Sequence, residues 1–171
     1  MKALMQIDSA LYDDVMGHLL PPSSAQEQAV FLFAQSVRTN GQVLFEVVRA
    51  RKLTKGDFAQ QDGDYLEMTD ATRAGLIKEA HDLEASLVEI HSHLGPWLAG
   101  FSYADRIGLQ ETVPHMWWRL KMRPYLAFVV ARSSFDALIW LDNMKVPRAL
   151  DALLVGNTTL KPTNLSLGGW Q

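Results

Sequence analysis

Glu89-Ile90-His91-Ser92-His93-Leu94-Gly95-Pro96-Trp97-Leu98-Ala99-Gly100-Phe101-Ser102-Tyr103-Ala104-Asp105 spans a strand end, a loop and a helix start. Ala85–His93 reads as a strand, and Leu94–Phe101, with its Gly and Pro residues, as a loop. Ser102 opens a helix running from Tyr103 towards Leu120, with an interruption expected near Pro114. Side chains two apart on a strand share a face, so His91 and His93 point the same way. Two neutral imidazoles on one rigid edge can take two corners of a zinc tetrahedron. Asp105, one turn into the following helix, is the natural third ligand once the loop has reversed the chain. Three protein ligands with one open position for water mark a catalytic zinc site rather than a closed structural one.

Hydrolysis at such a site also needs a general base and a donor to the oxyanion. Ser102, at the helix start one turn before Asp105, suits the second role. Three residues are candidates for the first. Glu89 shares the strand face of the histidines but sits behind them, Glu46 lies mid-strand, and Glu27 directly precedes a buried strand. Spacing alone does not choose among them.

Outward from this stretch the patterns alternate as in one α/β domain. Met1–Ile7 reads as a strand and Ser9–Leu20 as a helix capped at Asp8-Ser9 and ended by Pro21-Pro22. The nearly continuous apolar run Ala29–Ala34 suits a strand buried on both faces. Asn40-Gly41 marks a tight turn into its hairpin partner Val43–Val48. Thr54–Gly63 reads as an exposed loop and Tyr65–Met68 as a short strand. Asp70 is the expected cap of a helix over Ala71–Glu84, with Ala74, Ile77, Ala80 and Leu83 on its apolar side. Tyr125–Ala131 and Ala137–Leu141 are further strands; Ala149–Val155 fits helix or strand, and Gly156–Gln171 reads as an irregular tail.

Composition narrows the function. The 171 residues fit one domain, and 48% hydrophobic with 20% charged residues is ordinary globular usage. A formal charge of −3 disfavours nucleic acid as the main partner. Cysteine is absent, which removes thiol catalysis and thiolate metal sites and leaves any metal to His, Asp and Glu. The lack of cysteine suits a cytoplasmic location. No signal-peptide core develops before Asp8, Asp13 and Asp14, and no apolar run approaches the ~20 residues of a membrane span.

Glu27-Gln28-Ala29-Val30-Phe31-Leu32-Phe33-Ala34, then His91-Ser92-His93, then Ser102-Tyr103-Ala104-Asp105 resembles the signature of the JAMM (MPN+/JAB) zinc metalloproteases. In that family a glutamate opens an apolar strand, and a His-x-His-Pro and a Ser-x-x-Asp follow. The resemblance runs in element order from Glu27 to Leu141. It implies a single MPN/JAB-type domain over 1–155, a mixed curved β-sheet flanked by helices in the cytidine-deaminase-like manner, with 156–171 as a tail. It makes His91, His93 and Asp105 zinc ligands, Glu27 the general acid/base and Ser102 a holder of the oxyanion. The implied activity is cleavage of an isopeptide or peptide bond after the C-terminal tail of a ubiquitin-like protein. The compact form is similar to bacterial JAB peptidases found beside E1- and E2-like enzymes in ubiquitin-like conjugation systems. Leu94 departs from the family's proline, and His93 and Ser102 stand nine positions apart, one more than the pattern expects. The alternative is a non-catalytic MPN-type protein-interaction module.

The remaining features have plainer readings. His18, His81 and His115 lack ligand spacing and read as surface or capping residues. Met116, Trp117 and Trp118 fill core, with one aromatic available to a partner surface, while Arg119, Lys121 and Arg123 form a solvated helix end. Trp97 is expected to flank a substrate groove. Leu167-Gly168-Gly169 resembles a ubiquitin-like tail but reads as a flexible terminus.

Overall fold

A computed structural model describes residues 1–170. Eleven strands and three helices form the frame: β1 (Lys2–Ile7), α1 (Ser9–Leu19), β2 (Ala29–Thr39), β3 (Gln42–Lys52), β4 (Phe58–Gln61), β5 (Leu66–Met68), α2 (Asp70–Asp82), β6 (Ser86–Ser92), α3 (Tyr103–Arg119), β7 (Tyr125–Val130), β8 (Phe135–Trp140), β9 (Arg148–Ala149), β10 (Ala152–Val155) and β11 (Thr158–Leu160). Nine strands make one mixed sheet in the order β11-β10-β1-β3-β2-β6-β7-β8-β9, and β4 and β5 pair separately. β1 runs parallel to β3 and β10, and β6 parallel to β7; the other ladders are antiparallel.

Alternation along the central strands divides the core by face. Val30, Leu32, Val88 and Ile90 pack with Val15 and Leu19 of α1. Phe31, Phe33, Leu87 and Val129 pack with Leu76 and Ala80 of α2 and Leu109, Val113 and Met116 of α3. Each such large side chain contributes about 1.5–3 kcal/mol when fully buried, so both faces drive the fold.

The hairpin turn at Asn40-Gly41 is present, with Gly41 at φ +80, where a side chain would be strained. Its strands run longer than expected, to Thr39 and Lys52, because they pair with each other along nearly their whole length while β6 supports Ala29–Ala34 and β1 supports Gln42–Glu46. Asp8 caps α1 by accepting from the N–H groups of Ala10 and Leu11.

Several expectations are corrected. The cap of α2 is Thr69, whose hydroxyl accepts from Thr72 N–H, while Asp70 lies inside the first turn. Ala74 is exposed, and the buried positions of that helix are Thr72, Leu76 and Ala80. Within 54–63, β4 pairs with β5 and buries Phe58. α3 continues through Pro114, since burial of Val113 on one side and Met116 and Trp117 on the other holds it in register across the missing hydrogen bond. Beyond Gly156, β11 pairs with β10, and Trp170 meets Trp140 edge to face in the core; Gln171 lies outside the described residues.

Candidate metal centre

The site starts from register. Ala29 of β2 lies opposite His91 of β6. One step further, Ser92 N–H donates to Gln28 O at 3.0 Å, and Gln28 N–H donates to the buried Ser92 Oγ at 2.9 Å. Continuing that ladder by one residue sets Glu27 across from His93. His93 is held from the other side, its N–H donating to Val130 O at 2.9 Å. The Glu27 backbone is tied to the 61–62 segment: its N–H donates to Asp62 O, and Gln61 Nε2 donates to Glu27 O. Residues 64 positions apart in sequence thus meet through one strand pairing.

His91, His93 and Asp105 converge. The two Nε2 atoms are 3.1 Å apart, and the Asp105 carboxylate places Oδ1 3.3 Å from His91 Nε2 and Oδ2 3.2 Å from His93 Nε2. Ligand atoms at bonds of about 2.0 Å to a tetrahedral zinc stand roughly 3.3 Å from one another, so the spacing fits that ion. The donor set fits as well, being two imidazoles and a carboxylate whose ligand atoms gather at one point. Phe101 packs edge to face on His91.

Asp105 has a second task. Its Oδ2 accepts from Ser102 N–H at 2.7 Å, while Ser102 Oγ accepts from Asp105 N–H at 3.1 Å, a reciprocal capping box at the start of α3. The helix start therefore orients the ligand. The Ser102 hydroxyl uses its oxygen as acceptor there and keeps its proton to donate.

Charge follows geometry. Burial opposes the ionised Asp105 carboxylate, but hydrogen bonds from His91 and His93 outweigh it and hold the group well below the usual carboxylate range. Burial likewise disfavours a charged His91 ring, yet Asp105 raises its proton affinity. Glu27 stands with Oε1 3.9 Å from His93 Nε2, and burial pushes its carboxyl up to about 7 against the pull of both histidines.

Of the three candidate bases, Glu27 alone lies against a histidine nitrogen. Glu89, half-buried on the same strand face as His91, accepts from the Tyr125 hydroxyl, with burial raising its carboxyl, and Glu46 is exposed on β3. The cavity beside the cluster, about 290 Å³, is walled by β4, β5 and α3, including Phe58, Tyr65, Met68 and Glu111. Trp97 stands outside these walls and is 79% exposed. Trp117 is buried and Trp118 is exposed, with Arg119 over its ring.

Sequence reasoning missed the frame around the loop. Asp136, fully buried on β8, accepts from the N–H groups of Ala137, Asn164 and Ser166. Ser166 Oγ accepts from Phe101 N–H at 2.7 Å, and the Thr163 hydroxyl donates to Ala99 O at 2.7 Å. An aspartate inside the apolar run Phe135–Trp140 was the available signal, because a buried carboxylate requires donors.

No family model matches the chain, and no curated protein matches it. Among solved structures it is similar to the Trichoplax adhaerens STIL N-terminal domain, at 9% identity over 76% of this chain and 37% of that one, with a TM-score of 0.33. The chain thus spans little more than a third of that structure, and the likeness carries no argument about function. What stands on geometry is a mixed sheet flanked by three helices that gathers a His91, His93 and Asp105 cluster suited to a divalent metal.

Proposed function

We propose that the chain is a zinc-dependent isopeptidase or peptidase of the JAMM (MPN+/JAB) type. Its substrate is the C-terminal tail of a ubiquitin-like protein, in a conjugate or a precursor, within a bacterial ubiquitin-like conjugation system that includes E1- and E2-like enzymes. The observation that carries this reading is Glu27 beside the His91, His93 and Asp105 cluster, since a ligand set with a buried carboxyl against it is the minimum for hydrolysis. His91, His93 and Asp105 would hold zinc, which supplies a Lewis acid for the scissile carbonyl and acidifies water.

The chain's own residues do the rest. Glu27 takes a proton from the attacking water as the new C–O bond forms and the carbonyl oxygen becomes an oxyanion, then delivers that proton to the departing amine as the oxyanion collapses and the C–N bond breaks. Its raised proton affinity suits both halves of that transfer. Ser102 donates its free hydroxyl proton to the oxyanion. A tail ending in small residues lets the peptide backbone come close to the cluster.

The test is cleavage of a fusion between the cognate ubiquitin-like protein and a reporter, with zinc content measured on the same preparation. Cleavage that requires zinc and Glu27 is expected. Cleavage that survives complete zinc removal would overturn the reading.

A further inference from the structure

Across the sheet from the metal cluster lies a second cavity, about 310 Å³, roughly ten times the liquid volume of a water molecule. Its floor is apolar and deeply buried, with Met5, Ile90, Phe128 and Leu153 among its walls, and α1 closes one side through Val15 and Met16. Its solvent edge is different in kind. Arg132 and Lys161 are both exposed there, and no carboxylate belongs to the walls. Among the described residues Arg132 forms no ion pair, and Lys161 Nζ donates only to the Asp151 carbonyl.

We infer that this cavity binds a single-chain amphipathic carboxylate of medium length. The apolar floor takes the hydrocarbon chain, and Arg132 and Lys161 take the carboxylate. Charge complementarity joins an apolar-floored cleft open to solvent at its cationic edge: a neutral hydrocarbon would leave both cations unused, and a cationic amphipath would meet them as like charges. Ile90 packs in the α1-side core and is the one residue common to the walls of the two cavities, while its neighbours Glu89 and His91 line only the cavity beside the metal cluster; the two cavities thus lie on opposite faces of β6, and this site does not depend on the proposed hydrolytic one.

The probe is decanoate, titrated calorimetrically into the full chain below its micelle-forming concentration, with decyltrimethylammonium as the control. Methyl-¹³C methionine spectra report the place of binding. Saturable binding of one decanoate per chain is expected, with the Met5 and Met16 methyl signals shifting and those of Met68 and Met116 unmoved. Reversing both exposed cations, Arg132→Glu with Lys161→Glu, should weaken binding by about tenfold or more while the melting temperature shows an intact fold. The inference is overturned by absence of saturable binding, by equal affinity for the cationic amphipath, by wild-type affinity in the doubly reversed variant, or by unshifted Met5 and Met16.

Discussion

The two faces of β6 are built from alternate residues of one seven-residue strand, yet they carry opposite chemistry. Leu87, Glu89 and His91 face α2 and α3, where two of the three are titratable and both have altered proton affinity. Val88 and Ile90 face α1 in an apolar layer, and Ser92 at the end is buried with its hydroxyl bonded to Gln28. One face spends burial on holding charged groups in place; the other uses it to hold the strand. A strand can serve both ends only because side chains alternate strictly.

The largest effect should come from the charged face. His91→Ala removes a ligand, so zinc content and any zinc-dependent cleavage should both be lost, as metal analysis beside an activity assay would show. Glu27→Gln comes next: zinc stays bound while turnover falls by about 10²–10⁴, the usual worth of a positioned proton carrier. The same substitution has a pH signature in the metal-free protein. Folded Glu27 titrates at about 7 against an ordinary 4.5, so the native state holds the extra proton between those values. Its stabilisation is full below pH 4.5 and is lost as pH rises through 7, and denaturation of Glu27→Gln across that window should lack this slope.

On the apolar face, Ile90→Ala should cost about 2–5 kcal/mol in urea denaturation with zinc stoichiometry unchanged. Ser92→Ala should cost less, about 1–3 kcal/mol, by leaving the Gln28 N–H without its acceptor. If Ser92→Ala lowered turnover without lowering stability, the separation of the two faces would be wrong.

Much of this was legible in the residues. His91 and His93 share a face because they are two apart, and Ser102 with Asp105 reads as a helix start at sight. By spacing Glu27 is only one of three glutamates, and the family resemblance alone singles it out, since its position depends on the β2–β6 register, which sequence spacing does not contain. Pro114 misled because local chain stiffness was outweighed by the buried residues around it. The segment after Val155 reads as irregular although Gly156-Asn157 is a hairpin signal; β11 is only three residues long, too short to show a period.

The strap from Thr163 to Ser166 also sets an order of assembly. Phe101 N–H finds its acceptor on Ser166, 65 positions later in the chain. At synthesis rates of roughly 5–20 residues per second, the ligands leave the ribosome seconds before the residue that fixes their loop. A nascent chain that has reached Asp105 therefore carries His91, His93 and Asp105 without the frame that aligns them, and the cluster is completed late in the making of the molecule.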